Sequence, residues 1–200
     1  MRKILRNPLG LIAKLSLLLH LSLAAFTGQI EMSDKQIEAT GVTYKFNLRF
    51  TRQVPAGGKI VIRFPVDFVT LFTVPSCTAV SGFSTKSATP IPLTCTYISS
   101  VRLLTLSSGF PTDNFTEIIF NVNGVTNPKY AIATDYFTVD SYTISGGEFI
   151  PLESSTASIN VTPTAGALSN ESLSLSDPTV SSYSTLTVSM KNAHAIQKDG

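Results

Sequence analysis

Tryptophan is absent from this chain of 200 residues, cysteine and histidine occur twice each, and charged residues make up only 14%. Each shortage excludes something. One histidine, His20, lies inside an apolar N-terminal run, so His194 is the single imidazole left for acid–base or metal chemistry. A Ser-His-Asp triad or a histidine-based metal centre lacks its parts. No Gly-x-Ser-x-Gly elbow is present, and no D-x-D-x-D run supplies the six to eight oxygens that calcium takes. Which acids the fold pairs for glycoside hydrolysis is not written in a sequence, and scattered acids are ordinary surface residues. The chain therefore reads as non-catalytic, with no cofactor and no metal implied. A hydrophobic content of 43% in turn excludes a disordered or collagen-like protein.

The N-terminus sets the compartment. Arg2, Lys3, Arg6 and Lys14 precede an apolar run at 15–26, which ends on the small residues Ala24 and Ala25. This is the layout of a secretory signal peptide over 1–24, with cleavage between 24 and 28. The run is short of the ~20 residues that span a bilayer; a tilted anchor tolerating Lys14 and His20 is the alternative. The whole chain carries a formal charge of +2, but without its first 24 residues it has eleven basic and thirteen acidic side chains, a net charge of −2. A nucleic-acid partner loses its electrostatic footing. The expected location is secreted or cell surface, where an oxidising environment makes Cys77–Cys95 a disulfide. Such a bridge stabilises a fold by roughly 3 kcal/mol in the chain-entropy account.

Beyond the signal segment the pattern is β throughout. Val42, Tyr44, Phe46, Leu48 and Phe50 alternate with Thr43, Lys45, Asn47 and Arg49, the period of a half-buried strand. The Pro55–Gly58 stretch supplies turn chemistry, and Ile60, Ile62 and Phe64 resume the alternation until Pro65, which predicts a hairpin-like pair. Further strands are expected at 67–73, 93–98, 101–107, 116–122, 133–139, 141–145 and 156–162. No segment of ten or more residues shows helical periodicity. Many short strands between turn signals predict an all-β, immunoglobulin-like Greek-key β-sandwich. The missing tryptophan and the closely spaced cysteines depart from an antibody domain, so the bridge is expected to clip an excursion at the sandwich edge.

An internal repeat organises the chain. Residues Ile30–Ile37 align with Leu173–Val180, matching apolar positions and the Ser-Asp pair. One deletion later, Tyr44, Phe46, Leu48, Val54 and Gly58 align with Leu186, Val188, Met190, Ile196 and Gly200. Chance likeness of two amphipathic strands is the competing explanation, but the matches keep their order, as repeats do. The expected layout is a signal peptide at 1–24, a β-sandwich at 29–163, and at 164–200 a linker with the truncated start of a second copy. A sandwich cut there leaves unpaired edges, which natural chains avoid, so a longer array is expected.

The run Val54–Pro65, the cysteine pair and Val122–Pro128 together resemble tandem immunoglobulin-like repeats of large secreted or cell-surface proteins of ciliate protozoa. The resemblance covers residues 30 to 163 and the fragment after them. It implies an extracellular, repeated, non-catalytic module, and it carries over no catalytic or binding residue.

Three N-x-[ST] sequons follow the signal segment, at Asn114, Asn160 and Asn170, each an acceptor for an N-glycan in a eukaryotic exported chain. All three are expected to be accessible. Asp34 and Asp177 recur at matching places, and Asp135 and Asp140 flank a strand; strand-end turns account for them better than calcium does. Phe68, Phe72, Phe83, Tyr97, Phe110, Phe115, Tyr130, Tyr136 and Tyr142 could line a sugar platform, although such residues more often fill a sandwich core. The expected function is a structural or adhesive repeat module whose partners are neighbouring repeats. The alternative is a module binding an extracellular protein or glycan ligand through loops at one end.

Overall fold

The computed structural model describes residues 26–68, 76–84, 92–107, 110–155, 159–167 and 169–192. The expected signal peptide lies outside them. The chain forms β1 (Thr27–Met32), β2 (Val42–Arg49), β3 (Lys59–Arg63), β4 (Ser76–Ser81), β5 (Pro92–Ile98), β6 (Leu103–Ser107), β7 (Glu117–Val125), β8 (Thr138–Ser145) and β9 (Glu148–Ser154). A separate pair, β10 (Ser169–Leu175) and β11 (Leu186–Lys191), follows.

The first nine strands hydrogen-bond in the order β1-β2-β7-β4-β5-β6-β3-β8-β9, every neighbouring pair antiparallel. Only Cys77↔Leu93 and Thr78↔Pro92 join β4 to β5, so the sheet folds over there into two layers. One layer is β1-β2-β7-β4 and the other is β5-β6-β3-β8-β9. With β5 and β6 set aside, the two layers have the A-B-E-D and C-F-G strand orders of an immunoglobulin-like sandwich. The β5–β6 hairpin is inserted between the fourth and seventh strands and extends the second layer beside β3.

Alternation in β2 and β7 builds the core. Tyr44, Phe46, Leu48, Ile118, Phe120 and Val122 point inward and are buried, against Ile60, Ile62, Leu104, Leu106 and Val139 of the other layer. Phe46 stacks flat on Phe120 with ring centroids 5.2 Å apart and meets Phe64 and Phe137 edge-on across the layers. Each fully buried side chain of this kind contributes about 1.5–3 kcal/mol.

Two buried polar groups lock loops onto this core. Asn127 accepts the Tyr44 phenol at 2.8 Å and donates to the carbonyls of Asp34 and Gln36, tying the β1–β2 loop to the one after β7. Glu153, on β9, accepts the backbone N–H groups of Thr51 and Arg52 at 3.0 and 2.7 Å, tying the last strand to the β2–β3 loop.

Several expectations need correction. β2 and β3 are not a hairpin: β2 pairs with β1 and β7, β3 with β6 and β8, and the Pro-Gly stretch carries the chain from one layer to the other. Residues 133–137 are not a strand, because only single bonds such as Phe137 N–H to the Ile159 carbonyl hold them. The strand expected at 156–162 is likewise irregular over 159–162, and 156–158 lie outside the described residues. Of the strand expected at 67–73, Asp67 lies with Val66 in a turn that Phe68 N–H closes on the Pro65 carbonyl, and 69–73 lie outside the described residues.

Candidate functional site

The antiparallel strands, nine in number, separate the chain's two ends. Thr27 lies opposite Arg49, and the β8–β9 turn sits at the same pole, near the start of β3. At the other pole lie the start of β2 and the ends of β1, β3, β5 and β7, whereas β9 stops at Ser154, level with the middle of β3. From there the chain runs on beside residues 134–139, bonded to Val139, Phe137 and Thr134 in turn, until at the second pole Thr164 is pinned between Lys35 and Ile37, by bonds of 2.7 and 3.0 Å. The chain thus enters the sandwich at one pole and leaves at the other, here called the exit pole.

Five residues after Thr164 the β10–β11 hairpin begins. Its register pairs Leu173 with Val188 and Leu175 with Leu186; β1–β2 pairs Ile30 with Phe46 and Met32 with Tyr44. These are the positions that align in sequence. The turns agree too. Ser33 N–H donates to the Thr43 carbonyl at 3.0 Å, and Thr43 N–H donates to Ser33 Oγ at 2.9 Å. Ser176 and Thr185 make the same two bonds at the same two distances. Asp34 Oδ1 accepts the Gln36 N–H at 2.9 Å, and Asp177 Oδ1 accepts the Thr179 N–H at 2.8 Å. Hydrogen bonds from Thr179 and Ser182 hold the Asp177 carboxyl below its usual range. Both aspartates therefore act as turn residues.

The two hairpins differ in what covers them. Tyr44, Phe46 and Leu48 are wholly buried, whereas their counterparts Leu186, Val188 and Met190 are each more than half exposed, and Leu173 is 71% exposed. An isolated two-stranded hairpin is marginal in water, and an uncovered apolar face marks a place where something else packs.

Cys77 on β4 and Cys95 on β5 form the disulfide, with Cα atoms 6.1 Å apart. It bridges the edge where one layer passes into the other, as expected, and a disulfide suits an oxidising compartment. The sequons divide. Asn160 and Asn170 are exposed. Asn114 is buried at 2% exposure, and its amide nitrogen donates to the carbonyls of Val54 and Pro111. The expected accessibility of Asn114 is thus corrected: the atom a glycan would occupy is committed to the loop below it.

The aromatic platform also divides. Phe68, Phe83 and Phe110 are core, Tyr97 and Tyr142 are half-buried, Phe72 lies outside the described residues, and Phe115, Tyr130 and Tyr136 are exposed on loops. Sequence reasoning missed the cation–π stack on the outer face of the second layer. There Lys59 Nζ lies 3.9 Å from the Phe149 ring centroid and 5.0 Å from that of Tyr142. It also missed a shallow polar groove lined by Thr27, Gln29, Asn47, Arg49 and Glu117, with Arg49 and Glu117 paired at 2.9 Å. Among the described residues no group of three or more His, Cys, Asp or Glu could hold a metal ion.

No family model matches the chain, and no curated protein matches it. Among solved structures it is similar to the collagen-binding domain from a Staphylococcus aureus adhesin, at 11% identity and a TM-score of 0.38, over 70% of this chain and 95% of that one. A likeness this loose adds nothing to the fold that the strand order defines.

Proposed function

We propose that the chain is an extracellular structural or adhesive module of a larger secreted or surface protein, non-catalytic, and that it works in series with copies of itself. The observation that carries this is the β10–β11 hairpin, which has the register and turn bonds of β1–β2 and an apolar face left open. On this reading residues 29–163 are one unit, and the hairpin is the first two strands of the next, completed by a second layer encoded beyond Gly200. Entrance and exit at opposite poles suit units strung end to end. The expected signal segment, the disulfide and two exposed sequons support an extracellular glycoprotein.

The test is hydrogen exchange on the natural chain carried on by its own reading frame to the length of a second unit. The amides of 172–175 and 186–190 are expected to become protected. Exchange as free as in the 200-residue chain would sink the proposal.

A second reading, a module binding a carbohydrate or protein ligand, is favoured by the polar groove. Its amides and paired charges suit a hydroxyl-rich partner. Retention on a glycan array, lost on Gln29→Ala with Asn47→Ala, would favour it over a purely structural role.

A further inference from the structure

The exit pole carries the most exposed large apolar side chains of the sandwich. Among the described residues before the hairpin, the five highest are Ile132 at 63%, Val66 and Tyr136 at 61%, Tyr130 at 58% and Ile98 at 53%. They come from three separate segments, and all three lie at the exit pole. Ile98 ends β5 opposite Leu103, which in turn lies opposite Arg63; Val66 follows β3; Tyr130, Ile132 and Tyr136 lie in the β7–β8 loop.

The scaffold beneath them is firm. Asp135 N–H donates to Asp67 Oδ2 at 3.0 Å and joins two of the segments, while Phe64 and Phe137 pack at 5.0 Å just inside. Asn127 fixes the start of the β7–β8 loop. A group of exposed apolar residues on a rigid base, with tyrosine among them, has the composition of an interface core rather than of ordinary surface.

The tether identifies the occupant. Thr164 is hydrogen-bonded into this pole and β10 begins at Ser169, so the chain between them reaches at most about 17 Å. Whatever folds on β10 and β11 is held against the exit pole at an effective concentration in the millimolar range. We infer that the exit pole, through Val66, Ile98, Tyr130, Ile132 and Tyr136, is the docking surface for the next unit of the same chain, the one that opens with β10. Successive sandwiches are then stacked in a fixed orientation, not hinged on a loose linker. The inference rests on the serial reading above and adds to it a defined contact.

The test uses the natural chain extended through its second unit, with spin labels on Asn121→Cys of β7 and Thr187→Cys of β11. The expected result is a narrow distribution of label distances that broadens about twofold in Ile132→Ser with Tyr136→Ser, since free relative motion is the default for weakly joined domains. Both side chains are exposed, so the near-UV spectrum of the first unit is expected to be unchanged; if it changes, Ile132→Ser alone carries the test. In a second variant, about ten Gly and Ser residues inserted after Ala167 lengthen the tether and leave the pole intact, and a narrow component is expected to persist. A wild-type distribution as broad as that of the double variant overturns docking, as does loss of the narrow component on insertion. Amide exchange in β10 and β11 separates the two ideas: protected strands with broad distances defeat docking alone, and unprotected strands defeat the serial reading with it.

Discussion

The buried phenol of Tyr44 donates its proton to the side-chain oxygen of Asn127 at 2.8 Å, across 83 positions of sequence. Asn127 also donates to two carbonyls of the β1–β2 loop, so its removal takes the partner from the buried Tyr44 phenol and from two part-buried loop carbonyls. Asn127→Ala is expected to cost about 1–3 kcal/mol for each acceptor or donor that water cannot reach, read from the urea midpoint. Tyr44→Phe removes one hydrogen bond and is expected to cost about 1 kcal/mol.

The same phenol sets an alkaline limit. Burial pushes the Tyr44 pKa up, which means that the folded state keeps its proton where the unfolded chain loses it. The associated stability is complete below the ordinary tyrosine pKa of about 10 and declines as pH rises above it. Urea midpoints taken from pH 9 upward are expected to fall in the wild type and to fall less in Tyr44→Phe. Equal slopes would remove Tyr44 as the cause.

The disulfide is expected to contribute about 3 kcal/mol, so Cys77→Ala with Cys95→Ala lowers the thermal midpoint and leaves the sandwich folded. Far-UV circular dichroism of the double variant checks the second half. Loss of the strand signal at room temperature would mean that the bridge is required for folding and not an accessory to it.

Secreted from a eukaryotic host, the chain is expected to lose mass on glycosidase treatment, less in Asn160→Gln and in Asn170→Gln. Asn114→Gln is expected to leave the glycan mass unchanged while lowering stability by about 1–3 kcal/mol, because the longer amide cannot keep its bonds to Val54 and Pro111. A glycan found on Asn114 would require the loop below it to open.

In the hairpin, bonds from Thr179 and Ser182 favour the Asp177 carboxylate. A carboxyl held low stabilises the turn above its ordinary pKa, and that contribution disappears as pH falls through the lowered value. An acid titration followed at the Thr179 amide is expected to show the turn bond lost in that range, and no such transition in Asp177→Asn.

The strands that could be read in sequence are those whose inward residues are large. Val42–Phe50 announces β2 because Tyr44, Phe46 and Leu48 all face one side. β4 escapes notice because its buried positions are Cys77 and Ala79, too small to make a pattern. β9 inverts the rule: Phe149 and Ile150 are exposed while Glu153 is buried, held there by the backbone of Thr51 and Arg52. The pairing of β2 with β3 fails for another reason. Turn residues announce that the chain reverses, but not whether it reverses within a layer or crosses to the facing one. Asn114 shows the same limit at a site, since its sequon is local while its burial depends on Val54, sixty positions earlier. The exit-pole apolar group has no sequence signal, because its members belong to three segments that only the fold brings to one end.

In the proposed array, opposite poles for entrance and exit would make each sandwich a link under tension. A pull along an array of such units would load β1 at one end and the Thr164 contact with Lys35 and Ile37 at the other, shearing strands against their neighbours. Once a unit gives way, the Cys77–Cys95 bridge keeps the loop between these residues, 18 positions apart, closed. About 60 Å of slack per unit then stays locked until the bond is reduced, so the redox state of the surroundings would set how far the array can stretch.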